Sequence, residues 1–160
     1  MTSDLSRHLD ACYSALGLRT APFRITPDTE FLVPQRQYRE AIGHLRFGLA
    51  TGSFTLLTGD VGLGKTLLCR QLMQQLPASV RTAYIFNPQL NYAEFLGSIL
   101  YDLTGQLPDR YAGSAQLHDE LFNLLAQLAG RGYRVALLID EAHRLPPELL
   151  EGLRLLSNLE

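Results

Sequence analysis

Eight consecutive residues, Gly59 to Thr66, have the types and spacing of a phosphate-binding loop. They read Gly-Asp-Val-Gly-Leu-Gly-Lys-Thr and match the pattern G-x-x-x-x-G-K-[ST]. Glycines in such a loop let backbone N–H groups approach a phosphate with no Cβ in the way. Lys65 is the single lysine among the 14 lysines and arginines of this 160-residue chain. A compact ammonium therefore stands where it can reach the β- and γ-phosphates of a nucleotide.

The predicted nucleotide-binding segment extends one residue beyond this motif. Its members are Gly59, Asp60, Val61, Gly62, Leu63, Gly64, Lys65, Thr66 and Leu67. We expect Lys65 to act on the phosphate that is transferred, which makes it a catalytic residue as well as a binding one. The Thr66 hydroxyl is expected to be a ligand of Mg²⁺.

A second candidate group, Asp140 and Glu141, follows the apolar run Val135 to Ile139. A continuous apolar run is typical of a parallel strand that is buried on both faces. Ligands bind beyond the carboxyl ends of such strands. We expect Asp140 to hold Mg²⁺ together with Thr66, and Glu141 to act as the base for the water that attacks the γ-phosphate. Taken alone, an acidic pair after a strand can equally begin a solvated loop.

The acidic pair and the single lysine together favour ATP over GTP. Small-molecule kinases and GTPases share the loop but do not require Asp-Glu at this place. A GTPase would also need an N-K-x-D segment to read guanine, whereas the only lysine is already in the loop. The L-S-G-G-Q signature of transporter-type ATPases does not occur in the sequence.

The loop needs a strand before it and a helix after it to be a site. Phe54 to Thr58 is short, apolar and β-branched, which predicts a buried strand. Thr66 to Leu76 has leucines at helical spacing and is followed by Pro77, which predicts a helix that ends there.

The remaining elements alternate along the chain, which predicts an α/β fold with a parallel sheet. Asn91 and Glu94 have the spacing of a capping box at a helix start. The predicted elements are a helix from Pro34 towards Gly52, a strand from Thr82 to Phe86, a helix from Asn91 to about Leu103, a helix from Ser114 to Gly130, and a last helix from Glu148 to about Ser157.

Composition limits the classes of function. The formal net charge of −2 gives no electrostatic footprint for nucleic acid. Cys12 and Cys69 lie far apart without a C-x-x-C pattern, which favours reduced, cytosolic thiols. The sequence has no signal-peptide core and no apolar run near the ~20 residues of a membrane span, so we expect a cytoplasmic chain with no membrane segment.

Several short segments around these motifs resemble one family. They are Pro22-Phe23, Glu40-Ala41, the loop running into Leu67-Leu68-Cys69-Arg70, Asn87-Pro88, and Leu153 to Glu160. Together they resemble AAA+ ATPases of the general secretion pathway protein A type. Within that group the chain is most similar to the ATPases of mannose-sensitive haemagglutinin (MSHA) pilus biogenesis. The resemblance covers nearly the whole chain.

This resemblance implies an additional-strand P-loop NTPase, an αβα sandwich that hydrolyses Mg²⁺-ATP. It also implies a homo-oligomeric ring that serves assembly of an envelope secretion or type IV pilus machine, with a cytoplasmic location or one peripheral to the inner membrane. Family members continue into a sensor strand, which lies between the strands that bear Lys65 and Asp140, and then a helical lid. We therefore predict a truncated core at 34–160, preceded by an N-terminal extension at 1–33 that packs on it.

Two alternatives remain open at this point. In the first, ATP binding orders an interaction surface and hydrolysis is slow, so that the protein is a nucleotide-operated switch. In the second, suggested by the string Asp-Glu-Ala-His at 140–143, the protein is a DNA-directed ATPase. The weak charge and the lack of a basic, aromatic strip make a nucleic-acid partner the less favoured of these.

Overall fold

The structure, a computed structural model, describes residues 9, 11–18, 33, 35–109 and 111–157. In chain order its elements are α1 (Arg36–Thr51), α2 (Lys65–Gln74), β1 (Val80–Ile85), α3 (Tyr92–Thr104), α4 (Ser114–Gly130), β2 (Arg134–Ile139), a 3-10 turn (Ala142–Arg144) and α5 (Pro147–Ser157). Residues 11–15 are also helical. Most of the predicted extension at 1–33 lies outside the described residues, so its packing stays a prediction.

The two strands pair in parallel, which confirms the predicted α/β class. Tyr84 lies opposite Leu138, and Ile85 lies opposite Ile139. The pairing continues one residue beyond the strands, where the Asp140 amide donates to the Ile85 carbonyl oxygen at 2.9 Å. The carboxyl ends of both strands therefore meet at one edge, with Asp140 on it.

The hydrophobic core lies between the sheet and three helices. Phe95, Leu96 and Leu100 of α3 are 0–1% exposed, and they meet Leu121 of α4 and Leu149 of α5 in one cluster. Burial of such large side chains contributes about 1.5–3 kcal/mol each. This cluster fixes the position of both strands, and with them the edge that carries Asp140.

Helix α3 begins at the capping box that the sequence predicts. The Asn91 side chain accepts from the Glu94 amide at 2.9 Å, and the Glu94 carboxylate accepts from the Asn91 amide at 2.9 Å. Two of the amides that have no partner inside the helix are satisfied in this way.

The predicted strand at Phe54 to Thr58 is not formed. Residues 53–60 have no regular secondary structure, and the side chains of Phe54 and Leu56 are 72% and 78% exposed. A strand needs a neighbour for its backbone hydrogen bonds, and within the described residues β1 and β2 pair only with each other.

The prediction that β2 is buried on both faces is correct only at Ala136, which is 2% exposed. Val135 and residues 137–139 are half-buried because β2 has one neighbouring strand in the part of the chain that the structure describes. The outer edge of β1 is covered locally, since the Tyr84 amide donates to the Asp102 carboxylate of α3 at 2.7 Å. Among the described helices, none is both long and apolar enough to cross a membrane.

Candidate functional site

The predicted phosphate loop forms a tight turn between residue 59 and the start of α2. Gly62 and Gly64 have φ angles of 83° and 78°, in the left-handed region where residues with a Cβ are strained. The Leu63 amide closes the turn on the Asp60 carbonyl oxygen at 3.4 Å. Two of the motif's three glycines are therefore required by the backbone conformation itself.

The carbonyl oxygens of the loop point to donors within the protein. The pairs are Lys65 Nζ with the oxygens of Gly59 and Asp60 (both 2.9 Å), Tyr38 Oη with that of Leu63 (2.6 Å), and the Leu68 amide with that of Gly64 (2.9 Å).

Some backbone N–H groups of the loop, unlike its carbonyl oxygens, are left without protein partners among the described residues. Within the described part of the chain, the N–H groups of Gly62, Gly64 and Lys65 donate to no protein acceptor. Free amides beside a helix N-terminus present partial positive charge, and the Lys65 ammonium adds a full one. The loop therefore fits a polyanion such as a triphosphate.

The structure brings Thr66 and Asp140 together across 74 residues of sequence. The Thr66 hydroxyl donates to Asp140 Oδ2 at 2.7 Å, and the Tyr84 hydroxyl donates to the same oxygen at 2.9 Å. The Glu141 amide donates to Oδ1 at 2.9 Å. Three donors thus hold the carboxylate at the mouth of the phosphate loop, with Thr66 and Asp140 both half-buried.

The chemistry of this pair fits Mg²⁺ coordination. Hydroxyl and carboxylate oxygens are the hard ligands that Mg²⁺ takes, in company with phosphate oxygens and water. No group of three or more His, Cys, Asp and Glu side chains in the described ranges is arranged to hold a metal ion. A cation at Thr66 and Asp140 would therefore be shared with a bound phosphate.

Glu141 has a different placement from Asp140. Its backbone is left-handed, with φ 52° and ψ 36°, a conformation that costs a non-glycine residue about 1 kcal/mol or more. Its carboxylate lies 3.4 Å from Nδ1 of His143, and half of the side chain is exposed. Among the described residues, its carboxylate makes no hydrogen bond or ion pair with the phosphate loop.

Two neighbours of Asp140 are not apparent from the sequence. Burial raises the pKa of the Tyr84 hydroxyl, and the hydrogen bond to Asp140 raises it further. Burial also raises the pKa of the Cys69 thiol, with the Asp140 charge as the second cause. Both groups therefore stay protonated at neutral pH beside the carboxylate.

Tyr38 is a third residue that the sequence does not reveal as part of the site. Its helical spacing indicates only that it lies on the apolar face of α1. The contact with Leu63 joins residues 25 positions apart, and no local motif signals it.

Comparison with known proteins gives two matches. A family model described as an AAA domain matches residues 49–160. The "General secretion pathway protein A" of Aeromonas hydrophila is 46% identical over 147 residues, which are 90% of this chain and 26% of that protein. The chain thus spans about a quarter of the length of this curated relative. No solved structure gives a significant match.

Proposed function

This chain belongs to the AAA domain family, and from that premise we propose that it binds Mg²⁺-ATP and hydrolyses the terminal phosphoanhydride. One observation carries the proposal: the Thr66 hydroxyl and the Asp140 carboxylate meet at 2.7 Å at the mouth of the loop. A glycine-rich turn without a function would not be expected to lie against a carboxylate 74 residues away. Hydrolysis of a nucleotide needs both groups in one place.

Each proposed role follows from the group's position. Within the segment 59–67, the free amides of Gly62, Gly64 and Lys65 bind the phosphate oxygens. The Lys65 ammonium leaves the Gly59 and Asp60 carbonyl oxygens to meet the β- and γ-phosphates. Thr66 and Asp140 hold Mg²⁺, which when bound neutralises charge on the phosphate oxygens. Tyr84 keeps the Asp140 carboxylate in place through its 2.9 Å hydrogen bond.

We assign Glu141 the role of general base for the attacking water. The half-exposed side chain can change rotamer without disturbing the core, so its contact with His143 does not fix it. The general-base contribution to a rate is typically 10²–10⁴-fold.

The setting is proposed from the relative and from the resemblance. The name of the Aeromonas protein refers to the general secretion pathway. We propose that this chain likewise serves assembly of an envelope secretion machine and, more narrowly, a type IV pilus of the MSHA kind. A homo-oligomeric ring, at a cytoplasmic position or one peripheral to the inner membrane, completes the proposal.

Glu141→Gln tests the hydrolytic role in the full-length protein. Phosphate release with Mg²⁺-ATP is expected to fall by at least about 100-fold, while ATP affinity by calorimetry stays within about twofold. Glu148→Gln is the matched control, because Glu148 is an exposed residue of the first turn of α5, and it should hydrolyse at the wild-type rate. Wild-type turnover no higher than that of Glu141→Gln would contradict the hydrolytic proposal.

The second candidate is a nucleotide-operated switch with little turnover. The contacts of Glu141 favour it, since the carboxylate lies 3.4 Å from His143 Nδ1 and, among the described residues, makes no hydrogen bond to the phosphate loop. A switch would bind ATP and change its protease sensitivity on binding, yet release phosphate at the same rate with Glu141 or glutamine at this position.

A further inference from the structure

Tyr38 of α1 reaches across to the phosphate loop and contacts it at two neighbouring residues. Its hydroxyl donates to the Leu63 carbonyl oxygen at 2.6 Å. The same hydroxyl oxygen would lie 2.5 Å from a Cβ at Gly64, so the loop approaches it as closely as a glycine allows. Further along both helices, Arg46 of α1 donates to Gln75 at 2.8 Å and holds α1 beside α2.

The hydrogen bond from Tyr38 to the Leu63 carbonyl also sets the direction of the Gly64 amide, because the peptide bond between Leu63 and Gly64 is planar. In a planar trans peptide, the C=O of one residue and the N–H of the next point in opposite directions. With the Leu63 carbonyl directed at Tyr38, the Gly64 amide must point away from α1. That amide is one of the loop N–H groups with no acceptor among the described residues.

We propose that Tyr38 is a positioning residue that orients the Gly64 amide towards the phosphates of the bound nucleotide. The inference rests on the proposed function, because it presumes that the loop binds a triphosphate. Rotation of the Leu63–Gly64 peptide would present a carbonyl dipole where the amide stood, and a carbonyl oxygen repels an anion. Left-handed Gly64 has no Cβ to resist that rotation, and the Tyr38 hydroxyl supplies a restraint on the Leu63 carbonyl from outside the loop.

The test compares Tyr38→Phe with wild type in binding ATP and inorganic tripolyphosphate. The variant keeps the ring and loses only the hydroxyl. We expect both affinities to weaken by about 3- to 10-fold, the range that one hydrogen bond supports. Equal factors are expected for the two ligands because the amide meets phosphate and not the base. Tyr101→Phe, a tyrosine of α3 that is 47% exposed, is the matched control and should bind both ligands as wild type does.

A second readout separates positioning from a general loss of structure. In ¹⁵N spectra of the wild-type protein, the Gly64 amide should shift on addition of tripolyphosphate, and in Tyr38→Phe that shift should shrink. The urea midpoint of the variant should stay close to that of wild type, since water can reach the freed Leu63 carbonyl.

Unchanged affinity for tripolyphosphate in Tyr38→Phe would overturn the inference, as would a loss of ATP affinity alone. If the wild-type protein bound neither ligand, the proposed function itself would fail. Normal wild-type binding with an indifferent Tyr38→Phe would refute only the role of Tyr38.

Discussion

Two regions of this molecule are held together in different ways. The packed body consists of β1, β2, α3, α4 and α5, and it is joined by one cluster of apolar side chains that includes Phe95 and Leu96 at 0% exposure. The loop side consists of α1, residues 53–64 and α2. Its helix α2 buries Leu68 and Leu72, but Phe47, Phe54 and Leu56 are each more than two-thirds exposed.

Polar contacts hold the loop side in place. Tyr38 bonds to Leu63, Arg46 bonds to Gln75, and Thr66 bonds to Asp140 of the packed body. The bond between the neutral Tyr38 and Leu63 groups contributes about 1 kcal/mol net, and the two bonds with a charged partner contribute about 1.5–3 kcal/mol each before solvent screening. Each of the many large side chains buried in the packed body contributes a similar amount, so their sum is much greater. Most of the stability therefore comes from the packed body, whereas the proposed site lies where the loop side meets it. Substitutions in the packed body should mainly lower the free energy of unfolding, and substitutions in the phosphate loop should mainly lower nucleotide affinity.

The largest expected effect breaks the packed body. Leu96→Ala removes a fully buried side chain of α3 and should lower the free energy of unfolding by about 2–5 kcal/mol, because it leaves a cavity. Urea denaturation followed by circular dichroism measures the loss. A loss below about 1 kcal/mol would mean that the cluster around α3 is not the stabilising core.

In the loop side, Lys65→Ala should lower nucleotide affinity and leave stability unchanged. It removes the one ammonium of the loop and should weaken ATP binding by about 1.5–3 kcal/mol, the contribution of hydrogen bonds to charged groups. The urea midpoint should hardly change, since among the described residues the Lys65 ammonium bonds only to the carbonyls of Gly59 and Asp60. Isothermal calorimetry gives the affinity, and unchanged ATP binding would remove Lys65 from the site. Arg70→Ala, one to two turns further along α2, is the matched control for loss of a cation.

A smaller effect is expected at the start of α3. Asn91→Ala breaks the capping box and should cost about 1 kcal/mol of stability, with ATP affinity unaltered. Asn91→Asp keeps a side-chain acceptor and should retain most of the stability. An alanine variant that also loses nucleotide affinity would show that the two regions are more tightly coupled than their contacts indicate.

The smallest change in stability is expected for Leu56→Ala, which is compared with Leu96→Ala. Leu56→Ala is the same substitution as Leu96→Ala, but the side chain is 78% exposed, so the stability change should stay within about 0.5 kcal/mol. Measured in the same urea series, the pair compares identical chemistry in the two regions. A cost at Leu56 near that at Leu96 would mean that the Leu56 side chain is buried in solution and would contradict its exposed position.

The parts of this structure that the sequence predicts are those with local causes. The Asn91 capping box, the apolar spacing of α3 and α4, and the apolar run before Asp140 each have their signal within a few residues. The glycine pattern at 59–66 likewise predicts the tight turn that Gly62 and Gly64 form.

The parts that the sequence does not predict depend on distant residues. Phe54 to Thr58 has the composition of a strand, but the state of a strand is decided by whether another strand lies beside it. Tyr38 and Tyr84 enter the site through contacts that span 25 and 56 residues. The orientation of Glu141 towards His143 depends on a left-handed backbone that no residue type at that position announces.

The hydrogen bond from the Tyr84 amide to Asp102 has a consequence for how this sheet can grow. A further strand that paired with the outer edge of β1 would have to break the bond between the Tyr84 amide and the Asp102 carboxylate. The freed Asp102 carboxylate would then need new hydrogen bonds from water. The far side of β2 carries no such obstacle within the described residues. Any further strand, from this polypeptide or from another, should therefore add next to β2. The sheet can then grow in one direction, and the β1 edges of two molecules are less able to pair with each other.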